Sequence, residues 1–95
     1  MRAKKNFIVV AYDISDDKRR GNVVKILEKA GSRVNYSVFE CFLTDARYKR
    51  LQEDILSRIK IREDTVIFYP VCMDCYTKIV YLSASRRKFD KVTVI

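Results

Sequence analysis

The chain contains no histidine, so any chemistry it performs falls to other groups. A histidine general base, a histidine-ligated zinc centre, a serine–histidine pair and a two-histidine ribonuclease are all excluded. If such a chain cleaves a phosphodiester, the strong route left is a divalent metal on carboxylates, which activates water and neutralises charge on the phosphate. Asp13 is the best-placed carboxylate. It stands near the end of the apolar run Asn6 to Ile14, just before a segment that reads as a helix N-terminus, a place that attracts phosphate. Mg2+ commonly binds one or two carboxylates and keeps several waters, and Mn2+ suits the same oxygen donors. Two copies of Asp13, one from each of two subunits, would therefore suffice. The alternative role for Asp13 is a plain cap of the strand-to-helix turn.

Other residues cluster around this position. Tyr12 falls on the opposite alternating face and reads as core. Arg19 and Arg20 lie in the first two turns of the expected helix, where a cation opposes the dipole, so either an anionic ligand or a solvated face is implied. Arg33 begins the next extended stretch and reaches the same end of the sheet if the strand runs in the right direction. Ser37 has no base to activate it and reads as structural. Phe39 reads as core or interface, with nucleotide stacking as a lesser option.

Three cysteines, Cys41, Cys72 and Cys75, are odd in number and set in apolar, strand-like stretches, which fits a reducing compartment. Cys72 and Cys75 have CxxC spacing, but a zinc site needs four ligands. A thioredoxin-type motif needs helix-forming sequence after it, and the strand-like Lys78 to Leu82 follows instead. The cysteines read as structural thiols.

These residues need a frame. Asn6 to Ile14 is apolar on both alternating faces, with Phe7, Val9, Ala11 and Asp13 on one and Ile8, Val10, Tyr12 and Ile14 on the other, as in a strand covered on both sides. Ser15 or Asp16 caps a helix with core stripe Val23, Ile26, Leu27 and Ala30, and Gly31 is its stop. Arg33 to Leu43 is extended and long enough to bend or split in two. Thr44 or Asp45 starts a second helix with Tyr48, Leu51, Ile55 and Ile59 at helical spacing. Thr65 to Cys72 is a further strand whose Pro70 suits an edge or a bulge. Lys78 to Leu82 and Val92 to Ile95 are expected to complete the sheet. The fold class is α+β: two helices on one face of a four- to five-stranded sheet. Since the helices cover one face only, a second copy in a twofold dimer is the simplest cover for the other.

Residues 1–95 suit a single domain. Twenty Lys or Arg against twelve Asp or Glu give a net charge of +8, a field that attracts polyanions. The cations are grouped (Lys18 to Arg20, Arg47 to Arg50, Arg58 to Arg62, Arg86 to Lys88) in a way that suits a phosphate track. The apolar run Phe7 to Ala11 is too short for a signal-peptide core or a membrane span, so a cytoplasmic location without membrane contact is expected.

The blocks Val9-Val-Ala-Tyr-Asp-Ile-Ser-Asp-Asp-Lys-Arg-Arg20 and Gly31-Ser-Arg-Val-Asn-Tyr-Ser-Val-Phe-Glu40, with the later Asp64-Thr-Val-Ile-Phe-Tyr69, closely resemble the CRISPR-associated "Cas two" family. The resemblance covers nearly the whole chain. It implies a ferredoxin-like sandwich with a mainly antiparallel sheet, a homodimer formed through the other face, and a C-terminal segment, 84–95, whose strand packs on the partner subunit. It implies Asp13 as the shared metal-binding and catalytic residue, Tyr12, Arg20 and Arg33 as nucleic-acid contacts, Arg19 as a phosphate contact and Phe39 beside the interface. Many members have a basic residue where this chain has Asn22, so the phosphate surface of the first helix is expected to be weaker.

The activity implied is twofold. One part is spacer acquisition together with the CRISPR integrase, the dimer bridging two integrase dimers and supporting duplex DNA. The other is metal-dependent endonuclease activity on RNA or DNA with Mg2+ or Mn2+, the nucleic-acid partner being duplex DNA, single-stranded RNA or both. The alternatives are a non-catalytic DNA-binding scaffold and an RNA-interferase toxin of the virulence-associated D type. An ordinary RNA-recognition module is disfavoured, because its aromatic signature is absent.

Overall fold

The computed structural model describes residues 4–82. The basic segment Arg86-Arg87-Lys88, the closing strand Val92 to Ile95 and the partner-packing segment 84–95 lie outside the described residues.

The elements follow in the order β1 (Lys5–Asp13), α1 (Asp17–Ala30), β2 (Gly31–Asn35), β3 (Val38–Thr44), α2 (Asp45–Leu56), β4 (Thr65–Val71) and a short α3 (Met73–Tyr76). The sheet runs β2-β3-β1-β4, and each neighbouring pair is antiparallel. Each long helix joins strands that are not neighbours: α1 carries the chain from β1 past β3 to β2, and α2 from β3 past β1 to β4. This is the split βαββαβ arrangement of ferredoxin-like folds.

The doubly apolar β1 sits inside the sheet, between β3 and β4. Its Ile8, Val10 and Tyr12, with Ile14 just beyond its end, join Phe39, Cys41 and Leu43 of β3, Val23 and Leu27 of α1, and Leu51 and Ile55 of α2 in one buried cluster. Burying each large aliphatic side chain contributes about 1.5–3 kcal/mol, so this layer is what holds both helices on the same face. Asp16 caps α1, its carboxylate accepting from the Arg19 N–H at 2.9 Å. Thr44 caps α2 by accepting from the Arg47 N–H at 3.2 Å.

The long extended stretch splits at the turn Tyr36-Ser37, and the ladder slips between Arg33 and Asn35. A bulge of this kind re-aims side chains. Gly31 ends α1 without the left-handed turn expected of a stop. Its backbone is extended (φ −168°, ψ −153°) and it already belongs to β2, where a Cβ would collide with the Glu40 carbonyl and the Cys41 sulfur. The glycine is required by close strand packing.

The strand expected at Lys78 to Leu82 is absent. The chain turns instead into α3 directly after β4, and Tyr76 folds back onto the second face of the sheet. There its ring packs 4.6 Å from Phe7 and 5.2 Å from Phe42, which are 5.0 Å from each other. The subunit thus covers one end of that face itself. The rest holds Val9 and Ala11 of β1, Ile67 and Tyr69 of β4, and Glu40 of β3, which accepts from the Tyr81 hydroxyl at 2.7 Å; it is only partly covered, and Ile67 and Tyr69 are 42% and 50% exposed. Pro70 lies in β4, an edge strand among the described residues, a place that suits its missing donor.

Candidate functional site

Asp13 is the last residue of β1 and pairs across the sheet with Thr65 of β4. Alternation puts it on the Phe7, Val9, Ala11 face, away from the helices. Its carboxylate is exposed and makes no hydrogen bond or ion pair with any described residue. It opens into a concavity of about 450 Å3 that it shares with Tyr12, Ile14, Arg20, Arg33, Tyr36 and Ser37. Three residues singled out from the sequence, Asp13, Arg20 and Arg33, therefore converge with Tyr12 at one end of the sheet.

Each cation has a fixed seat. Arg20 reaches back from α1 and donates to the Ile14 carbonyl at 2.9 Å and the Ser15 carbonyl at 3.3 Å, with Asp17 as its ionic partner. It ties down the loop that leaves Asp13. Arg33 lies on the helix-covered side of the sheet, its guanidinium 5.5 Å from the centre of the Phe39 ring and donating to the Tyr12 hydroxyl at 3.2 Å. That hydroxyl in turn donates to the Tyr36 carbonyl at 2.8 Å. Tyr12 is buried and its hydroxyl is committed on both sides, so it positions Arg33 and the Tyr36-Ser37 turn.

Two expectations are corrected here. Phe39 is fully buried in the helix-side core, 6.3 Å from the Tyr12 ring, so it is a platform under Arg33 and offers nothing to a subunit interface. Arg19, expected on phosphate, points the other way. It donates to Asp64 from Nε at 2.8 Å and from Nη2 at 3.1 Å, and reaches Glu63 at 3.1 Å. Asp64, its carboxylate wholly buried, also accepts from the Lys60 N–H at 2.8 Å. The Arg19 guanidinium first, and then this backbone N–H, hold the Asp64 carboxyl below the usual carboxylate range, while Asp64 raises the pKa of Arg19. This clamp joins α1 to the segment before β4, and nothing in the local sequence pattern marks Asp64 as buried.

The cysteines separate. Cys41 is buried in β3, and burial pushes its thiol up to about 11. Cys72 and Cys75, expected to be structural, are exposed at the two ends of one turn of α3. A four-residue helix spans the motif, capped by Cys72 itself, and no helix follows it among the described residues. The Cys75 N–H donates to the Cys72 sulfur at 3.3 Å, which lowers the Cys72 pKa, whereas the thiol of Cys75 is raised by its bond to Cys72.

Among the described residues the concavity is lined by a single carboxylate, that of Asp13, and no group of three His, Cys, Asp or Glu gathers to hold a metal. That donor set fits an ion such as Mg2+, which keeps most of its waters and takes one or two carboxylates. No described helix is long and apolar enough to cross a membrane.

On the other side of the sheet, α1 and α2 form a groove of about 430 Å3. Lys25, Lys29, Arg47, Arg50 and Arg58 line it above an aliphatic floor, with Asp54 as its one carboxylate. None of the five cations has an ion-pair partner among the described residues.

Residues 6–79 match the family model described as CRISPR associated protein Cas2. A CRISPR-associated endoribonuclease Cas2 of Synechocystis is 41% identical over 71 residues, covering 75% of this chain and 77% of that one. Among solved structures, Streptococcus pyogenes Cas2 superposes with a TM-score of 0.72 at 27% identity, over 81% of this chain and 99% of that one. A chain of a partial Cas6-RT-Cas1–Cas2 complex superposes with a TM-score of 0.69 at 31% identity, over 81% of this chain and 90% of that one.

Proposed function

Because the chain belongs to the CRISPR-associated Cas2 family, we propose that it is a CRISPR adaptation protein that works as a homodimer with a Cas1-type integrase, binds duplex DNA, and hydrolyses phosphodiesters at Asp13 with a divalent metal. The observation that carries the catalytic reading is the exposed, unpartnered Asp13 carboxylate in one concavity with Arg20 and Arg33.

The partly covered strip of Val9, Ala11, Ile67 and Tyr69 is the surface for the second copy, because an apolar sheet face left in water is the strongest drive to self-association the described residues present. Pairing through that face brings the two Asp13 side chains toward the twofold axis. Arg33, held flat by Phe39 and Tyr12, is a preorganised phosphate donor, and little freedom remains for it to lose on binding. Arg20 keeps the Ile14-Ser15 backbone in place, and with it the direction of Asp13. Mg2+ or Mn2+ bound to Asp13 would supply an acidified water and neutralise charge on the phosphate. In the hydrolysis a water oxygen bonds to phosphorus, the ester P–O bond breaks, and the departing oxygen takes up a proton.

A scaffold without catalysis is the second reading, and the groove between α1 and α2 favours it. Five cations there, without an ion-pair partner among the described residues, form a sequence-independent polyanion surface on the face opposite Asp13. The two readings are separated by wild type and Asp13→Asn, each assayed with Mg2+ on RNA and duplex DNA. Cleavage lost with duplex binding retained supports catalysis at Asp13. Equal cleavage by both proteins, or none by either alongside tight duplex binding, leaves the scaffold.

A further inference from the structure

Tyr36 is the most exposed aromatic residue among those described, with 90% of its surface in water. It stands at the tip of the β2–β3 turn, where a small polar residue would be the ordinary choice. Its ring enters no aromatic pair, and its hydroxyl makes no hydrogen bond with a described residue. Its backbone, by contrast, is pinned on every side. The Tyr36 N–H donates to Asn35 Oδ1 at 2.8 Å, its carbonyl accepts from the Tyr12 hydroxyl at 2.8 Å, and the next carbonyl, of Ser37, accepts from the Tyr12 N–H at 3.0 Å. A free ring on a fixed base has only its own two torsions left to order. That is the low-entropy arrangement by which tyrosine serves as a recognition residue.

The ring also borders the concavity of Asp13, Arg20 and Arg33. We propose that Tyr36 is a stacking platform for one unpaired nucleobase beside the phosphate held at Arg33, and so the residue through which this site distinguishes single-stranded from duplex polynucleotide. The proposal rests on the nucleic-acid reading of the site and adds to it the residue that reads the state of the strand. A base inside a duplex has both faces occupied by its neighbours, whereas an unpaired base offers a face to an aromatic ring, whatever its sequence. Arg33 and Tyr36 are mechanically linked, since Tyr12 bonds to both. Phosphate and base contacts are therefore set in one geometry.

The test uses the full chain in EDTA, so that no cleavage enters the readout. A single-stranded oligonucleotide carrying one 2-aminopurine, and the same strand annealed to its complement, are titrated with wild type, Tyr36→Phe and Tyr36→Ala. Stacking is worth about 1–3 kcal/mol per base, which converts to a loss of roughly 5- to 150-fold in single-strand affinity for Tyr36→Ala. Its 2-aminopurine quench should vanish, while duplex affinity stays within about twofold and Tyr36→Phe keeps both signals, since the ring face is what stacks. Equal weakening on both strands, no weakening on either, or a Tyr36→Ala protein that has become a monomer by light scattering would each overturn the proposal. Wild type that binds neither strand overturns the underlying reading of the site itself, and that outcome is distinct from the others.

Discussion

The Tyr12 hydroxyl lies between Arg33, from which it accepts a hydrogen bond at 3.2 Å, and the Tyr36 carbonyl, to which it donates at 2.8 Å. One oxygen thus couples a cation of the site to the turn that flanks it. Removing it with Tyr12→Phe should leave the ring packed on Phe39 and the fold intact. We expect a stability loss of about 1 kcal/mol for a net hydrogen bond, measured by urea denaturation. Nucleic-acid affinity should fall as Arg33 loses its tether. Unchanged affinity would show that Phe39 alone holds the guanidinium.

Asp13→Asn preserves size and removes the charge. Metal-dependent cleavage should fall about a hundredfold or more, because a metal supplies several kcal/mol of charge stabilisation at the phosphate. The thermal midpoint should not drop, since the carboxylate has no partner among the described residues to lose.

The Arg19–Asp64 clamp makes a statement about acid. Asp64 has a folded pKa below its ordinary value of 3.8. Its contribution to stability is therefore complete above the unfolded value, and it is lost as pH falls through the depressed folded value. Wild type should lose stability on acidification below about pH 4. Asp64→Asn should start out less stable, with Arg19 left facing an amide, and should show a shallower decline over the same range in pH-dependent denaturation.

Ile67→Asp puts a charge in the middle of the partly covered sheet face, next to Ala11 in the register. Light scattering should show a dimer for wild type and a monomer for Ile67→Asp, with the far-ultraviolet spectrum unchanged. A dimer that persists would place the contact elsewhere.

The thiols should react in order. Alkylation near neutral pH should reach Cys72 first, since its thiolate is stabilised by the Cys75 N–H, and then Cys75. Cys41, buried and raised to about 11, should label only in denaturant. Peptide mapping after timed alkylation reads this sequence of events directly.

Much of this frame is legible in the residues alone. The two apolar faces of Phe7 to Ile14 require a strand deep in the sheet, and the stripes Val23/Leu27 and Leu51/Ile55 require helices on one side of it. The convergence of Asp13, Arg20 and Arg33 follows from the order of the elements. What pattern could not convey is where a side chain goes after leaving the backbone. Arg19 and Arg20 are adjacent and alike in type, yet one is clamped by a buried carboxylate 45 positions away and the other lies at the site. Phe39 and Tyr12 look like any core aromatics until the bulge before Asn35 brings Arg33 over them. Lys78 to Leu82 has strand composition, but Cys72 caps a helix first and the chain leaves the sheet. Local propensity lost there to a cap and to the aromatic contact of Tyr76 with Phe7.

Pro70 gives the molecule's outer rim a further property. A proline is tolerated in a paired strand only where its nitrogen faces away from the ladder, so β4 turns a gap outward where a new strand would look for a donor. A strand added along that margin would find no backbone donor at the Pro70 rung, which weakens pairing there.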